Sequence, residues 1–159
     1  WYEDQNIAVE VLRAVLATGI TGPAEVNRRV SALNAFAGTE AAIALAAANN
    51  RVAKILNKAG QARAGIPNVD LVDQPAETLL HESLEGLKSG VADNIAMGDY
   101  AAALSKLASL QAPVNAFFED VMVNAENPDV RDNRHELLAA LRNAFTGIAD
   151  FAVLGGASK

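Results

Sequence analysis

The stretch "AAANNRVAKILNKAG", residues 46–60, decides how the 159-residue chain is read. Leu45, Ala48, Val52, Ile55, Leu56 and Ala59 recur at three- and four-residue spacing, the signature of one apolar face on a helix. With Arg51 set at zero and a turn of about 100° per residue, these six fall between about 40° and 140°. Arg51, Lys54 and Lys58 fall between about 300° and 360°, nearly opposite, with Asn50 and Asn57 beside them near about 250°. Asn49 lies apart, at the border of the apolar face. The segment is therefore an amphipathic helix with three cations and two amides on one side and no acid among them.

The helix signals extend in both directions. Thr39 suits the start of a long helix running to about Lys58, with Gly60 beyond its end. Upstream, a helix is expected over Asn6 to Ala17 with Gly19 after it, and another from Pro23 to Gly38. Downstream, residues 61 to 72 contain Gly65, Pro67 and Asn68 and read as a loop. Asp73 is a candidate cap for a fourth helix that carries Pro75 in its first turn and ends near Met97. Gly98 breaks it, and Asp99 can cap a fifth helix ending near Leu110. A sixth is expected from Pro113 to about Asn124, and a last one from Pro128 to about Val153. No alternating β-pattern of useful length appears. The fold class predicted is all-α, a bundle of about seven helices over residues 1–154, with the small-residue tail 155–159 flexible.

Composition agrees with that class. The chain is 51% hydrophobic but only 5% aromatic, so alanine and leucine supply most of the apolar surface, as closely packed helices require. It has no cysteine, which excludes disulfides and thiolate metal sites; a reducing cytoplasm is the natural fit. No apolar run approaches the ~18 residues a membrane span needs, and no signal-like start is present. A start at Trp1 rather than Met reads as a piece of something longer.

The net charge of −6 is unevenly spread. Residues 11–69 hold seven bases against two acids, while the remainder holds six bases against seventeen acids. A basic section inside an acidic chain points to an anionic partner.

Catalytic signatures are missing. There is no glycine-rich phosphate loop, G-x-S-x-G elbow or H-E-x-x-H pair. His81 and Glu85 stand one turn apart and fit an ordinary helical pair. His135, beside Glu136, is expected to be an exposed side chain. No catalytic residue and no metal ligand is assigned. On the cationic face of the 46–60 helix alone, a solvated surface is the first reading of Lys54 and Lys58, ahead of a ligand, since cations near a helix C-terminus complement its dipole.

Two later segments carry further candidates. Phe117, Phe118, Val121 and Met122 are spaced to enter a core. Arg134 falls in the middle of the apolar stripe formed by Val130, Leu137, Leu138, Leu141, Phe145 and Ile148. A charge there needs a partner, with Glu119, Asp120 or a helix end as candidates, so Arg134 is read first as a structural anchor and second as a ligand contact. Arg131 and Asn133 lie nearer the exposed side.

With "LAAANNRVAKIL", "PVNAFFEDVMVN" and "RDNRHELL" on the page, the chain resembles the carboxy-terminal part of the bacterial glycyl-tRNA synthetase β subunit family over nearly its whole length. That family's pattern is close to A-N-K-R-V-x-N-I-L, P-V-D-x-F-F-D-x-V-M-V-M and R-x-N-R-L-x-L-L. The motifs fall on Asn49, Arg51, Ile55 and Leu56; on Pro113, Phe117, Phe118, Val121, Met122 and Val123; and on Arg131, Asn133 and Arg134. The chain departs from the pattern where Asn50 replaces a lysine and Lys54 an asparagine, moving one charge along the face by a turn. Asn115 and Glu119 replace aspartates, and Asn124 a methionine.

The resemblance implies an anticodon-binding domain of the DALR type found in arginyl-tRNA synthetases, binding glycine tRNA within an enzyme of α and β subunits. It implies tRNA contacts from Asn49, Asn50, Arg51, Lys54, Asn57, Lys58, Arg131 and Asn133, with Arg134 either structural or tRNA-facing. No cofactor is expected in the domain; ATP and magnesium belong to the parent reaction. The other reading kept open is a helical scaffolding domain of the same enzyme, without direct base readout.

Overall fold

Thr39 starts the long helix as its position predicts: its hydroxyl oxygen accepts the Ala42 amide at 3.2 Å. The helix runs Glu40–Ala59 and stops at Gly60, whose φ of +71° is the left-handed conformation that favours glycine. This is α3 in the computed structural model, which describes residues 8–60 and 65–157, with side chains as far as Leu154. Around it lie α1 (Val9–Leu16), α2 (Pro23–Ala37), α4 (Pro75–Ala96), α5 (Tyr100–Ala108), α6 (Gln111–Asp120), α7 (Pro128–Thr146) and α8 (Phe151–Ala157), with a 3₁₀ turn at Val69–Leu71. No strand occurs among the described residues. The all-α expectation holds, with eight α-helices among the described residues.

The chief neighbour of α3 is α8, and it also meets α7, α6 and α2. On the other side α4 packs on α5, α6 and α7. The shared core is built from leucine and three phenylalanines, Phe117, Phe145 and Phe151, each at most 1% exposed. Removing such side chains from water is the main term holding the bundle together.

Several boundaries differ from the sequence expectation, each for a physical reason. Gln74, not Asp73, precedes α4, and its side chain makes no capping bond; Pro75 then fills the first helical position, where a missing N–H costs nothing. Residues 111 and 112 extend α6 upstream of Pro113, leaving the proline in the first turn. The same helix ends at Asp120, four residues early, with Val121 extended at φ −109° and ψ 126°. Beyond it the Met122 carbonyl accepts from Arg134 Nη1 at 2.6 Å instead of continuing a helical ladder. The predicted start of the first helix, residues 6–7, lies outside the described residues, as do residues 61–64 of the loop.

The last predicted helix is two. α7 ends at Thr146, and α8 begins at Phe151 after Asp150, whose Oδ1 accepts the Ala152 amide at 3.0 Å. Two distant residues, Arg29 and Ala14, stabilise the break. Arg29 Nη1 donates to the carbonyls of Gly147 at 2.6 Å and Ile148 at 3.3 Å, supplying a cation where α7 leaves carbonyls unpaired. The Asp150 amide donates to Ala14 O at 2.8 Å, fixing the turn against α1. A Cβ at Gly147 would stand 2.9 Å from Ile95 Cδ1, the mobile end of a side chain that would have to turn aside. Downstream, the α8 helix continues through residues 155–157, which composition assigns to a flexible tail.

Arg29 is itself held by Glu25 and Tyr100. Its Nε stands 3.5 Å from Glu25 Oε2, and its guanidinium carbon lies 4.9 Å from the Tyr100 ring centre. The Tyr100 hydroxyl donates to the same Glu25 oxygen. That bond is the largest cause holding the Glu25 carboxyl below its ordinary 4.5, helped by Arg28 and Arg29. Burial, then the bond to Glu25, pushes the Tyr100 phenol above 10.

A lowered folded-state pKa contributes stability that is present above the unfolded value and lost as pH falls through the folded one. Tyr100→Phe is therefore expected to lower stability at neutral pH. The gap from the parent chain should shrink below pH 4.5, and also above pH 10, as the raised phenol titrates. Urea unfolding of both chains across pH checks this, and a gap constant from neutral pH to pH 3 would count against it.

Candidate nucleic-acid interface

Three segments far apart in sequence meet around the second half of α3. Arg51 reaches α6, where its guanidinium carbon lies 4.3 Å from the centre of the Phe118 ring. Phe118 in turn stands edge-on to the buried Phe117, with ring centres 5.5 Å apart at 85°. Arg134 of α7 ties in the residues just after α6 through the Met122 carbonyl. Arg51 thus lies beside the C-terminal half of α6.

The cations are exposed and uncompensated. Arg51, Lys54 and Lys58 are all exposed, and no carboxylate among the described residues stands within ion-pair distance of any of them. Glu119 and Asp120 follow Phe118 in the chain, but at about 100° per residue they turn to other sides of α6. Arg131, in the first turns of α7, is half-buried.

The amides divide differently from the sequence reading. Asn49 is 1% exposed, and its Nδ2 donates one turn back to Leu45 O at 2.9 Å. Asn133 is only 6% exposed, a correction to its expected place on the surface. Its Oδ1 accepts the Asn68 amide at 2.6 Å and its Nδ2 donates to Asn68 O at 3.0 Å, so it lashes the 65–71 segment to α7. Asn50 is half-buried and donates to Ala152 O at 3.1 Å, joining α3 to α8. Asn57 alone of these four is exposed, and its amide has no hydrogen-bond partner among the described residues.

Arg134 is a structural anchor. It is 5% exposed, and its Nε and Nη2 both donate to Glu77 Oε1, at 2.9 and 2.8 Å. The sequence expectation named Glu119 or Asp120; the actual partner comes from the first turn of α4. Met122 is corrected too: it is 71% exposed rather than in the core. Phe118 is half-buried, and nothing in the spacing of its segment separated it from the fully buried Phe117. The available signal was a second phenylalanine one position off the buried one.

Elsewhere the surface offers little chemistry. His81 is half-buried, and His135 is 5% exposed, against the expectation that it lies at the surface. Among the described residues no three metal-ligating side chains stand together. A groove of about 450 Å³ between α4 and α7 is lined by Ile66, Leu84, Leu87, Val91 and Ala140, with Glu85 and Lys88 at its rim; it contains no nucleophile and base pair. No single helix among the described residues is long and apolar enough to cross a membrane.

A profile described as the DALR anticodon binding domain matches residues 45–151, more than half of the chain. The chain belongs to the DALR anticodon-binding domain family. Every residue of the α3, α6 and α7 cluster lies inside the matched span of the DALR domain. The glycine–tRNA ligase β subunit of Haemophilus influenzae is 49% identical over 154 residues, covering 97% of this chain and 21% of that protein. Its counterparts in Acinetobacter baumannii and Pasteurella multocida are 47% and 46% identical, each covering at least 97% of this chain and 22% of theirs. This chain thus spans about a fifth of the length of these relatives.

Proposed function

We propose that this chain is the tRNA-binding domain of a glycine–tRNA ligase β subunit and holds the anticodon arm of glycine tRNA on the α3 face. The observation that carries the reading is the exposed row Arg51, Lys54 and Lys58, unmatched by any carboxylate among the described residues of an acidic chain. Such a row suits phosphates spaced along an RNA backbone, which position a ligand without reading its sequence. Arg131 adds a fourth cation from α7.

Base reading needs polar groups aimed at unpaired bases. The two cytosines shared by glycine anticodons offer amino donors, so an acceptor is required opposite them. Asn57 has the free amide carbonyl for this, whereas Asn49, Asn50 and Asn133 hold the backbone that presents the face. Aminoacylation, with its ATP and magnesium, belongs to the rest of the enzyme, including its α subunit, and the working location is the cytoplasm.

The test is binding of a glycine-tRNA anticodon stem-loop as a function of salt. Replacing Arg51, Lys54 and Lys58 together by alanine is expected to weaken binding at least tenfold at low salt. The slope of log K against log salt should flatten by up to roughly one per lost phosphate contact. An unchanged affinity and slope would remove this face from the site.

A further inference from the structure

The three α3 cations are not equivalent. Lys54 and Lys58 extend into solvent with no ring or hydrogen-bond partner among the described residues. Arg51 is seated on an aromatic ring, 4.3 Å from the centre of Phe118, and Phe118 is wedged by its edge contact with the fully buried Phe117. A guanidinium fixed on a ring loses less freedom when it binds than a lysine on a mobile stem. Its hydrogen-bond donors have no partner among the described residues, and its side chain is exposed.

From this we infer that Arg51 and Phe118 form a stacking platform for one unpaired nucleotide base, which lies on the outward face of the guanidinium. The inference rests on the RNA-binding reading above and assigns Arg51 a different role from its two neighbours. A planar cation stacks on the π-face of any base, and its edges remain free to donate to the base or the adjoining phosphate. Phe118 is a positioning residue: it touches the guanidinium and sets its plane. Lys54 and Lys58, being compact and rotatable charges, meet phosphates only.

Stacking and charge separate in one experiment on the full chain. The probe is a glycine-tRNA anticodon stem-loop carrying 2-aminopurine at one unpaired loop position at a time, since the emission of that base falls when it is stacked. With the parent chain at saturation, emission at one position is expected to drop. Arg51→Lys keeps the charge but removes the plane, and Phe118→Leu keeps the apolar packing but removes the ring. Both are expected to restore emission at that position and to weaken binding by about tenfold with the salt slope unchanged. Lys54→Ala should instead flatten the slope while the emission of the saturated complex stays low.

Thermal melting of each variant establishes that it is folded, and Arg51→Lys, at an exposed position, leaves the core untouched. If Arg51→Lys gives the parent's emission at every loop position, the platform is overturned, while loss of binding in Lys54→Ala would leave the RNA-binding reading standing. If the parent chain does not bind the stem-loop at all, both readings fall together.

Discussion

Glu77→Ala is expected to destabilise the domain by about 3–5 kcal/mol, the usual cost of stranding one member of a buried ion pair. Glu77 is wholly buried and Arg134 is 5% exposed. Two guanidinium nitrogens donate to a single carboxylate oxygen, Oε1, while Oε2 is buried with no hydrogen-bond partner among the described residues. The pair is therefore less than fully satisfied, and its net contribution over an apolar replacement is small. Its loss on one side is another matter: the guanidinium would keep only the Met122 carbonyl. Replacing both residues by leucine is thus expected to cost less than either single change, a coupling that a double-mutant cycle in urea reads directly. Equal and additive losses in the cycle would show that the two groups do not act as a pair.

That pair also marks where sequence reading stops. The placement of Arg134 in an apolar stripe was enough to require a partner, because a lone buried charge is too costly. The identity of the partner was not legible, since Glu77 lies 57 residues away on a helix whose orientation only the fold sets. Local signals behaved differently: Thr39, Gly60, Gly98 and Asp99 act over one to three residues, and each stands at the predicted helix end. The break between α7 and α8 had only a weak local signal in Gly147, because its stabilising contacts come from Arg29 and Ala14 on other helices.

The candidate site divides along the same line. Angular position correctly separated the exposed Arg51, Lys54 and Lys58 from the apolar face of α3. It could not tell a free amide from one spent on a neighbouring backbone, and Asn50 and Asn133 are of the second kind. Nor could periodicity foresee that the α6 ladder stops at Asp120, beyond which Met122 stands out of the core.

Phe151→Ala should cost a similar amount, about 3–5 kcal/mol, through lost transfer energy and the cavity left behind. The ring is 1% exposed and lies between Phe145, at 4.6 Å, and Phe36, at 6.2 Å, so two aromatic contacts go with it. Phe151 opens α8, the main neighbour of α3, and next to it Ala152 accepts the bond from Asn50. Loss of the ring therefore loosens α8 at the point where it braces the cationic helix.

Because Phe36, Phe145 and Phe151 belong to three helices of one core, unfolding is expected to stay a single transition with an unchanged denaturant slope. Phe151→Leu, which refills most of the volume, should recover all but about 1.5 kcal/mol. Urea unfolding by circular dichroism, paired with amide hydrogen exchange in α8, distinguishes the possibilities. A lower slope with early exchange confined to α8 would mean that this helix opens as its own unit. In that case Asn50 would lose its partner before the bundle unfolds, and anticodon-arm binding would weaken ahead of global stability.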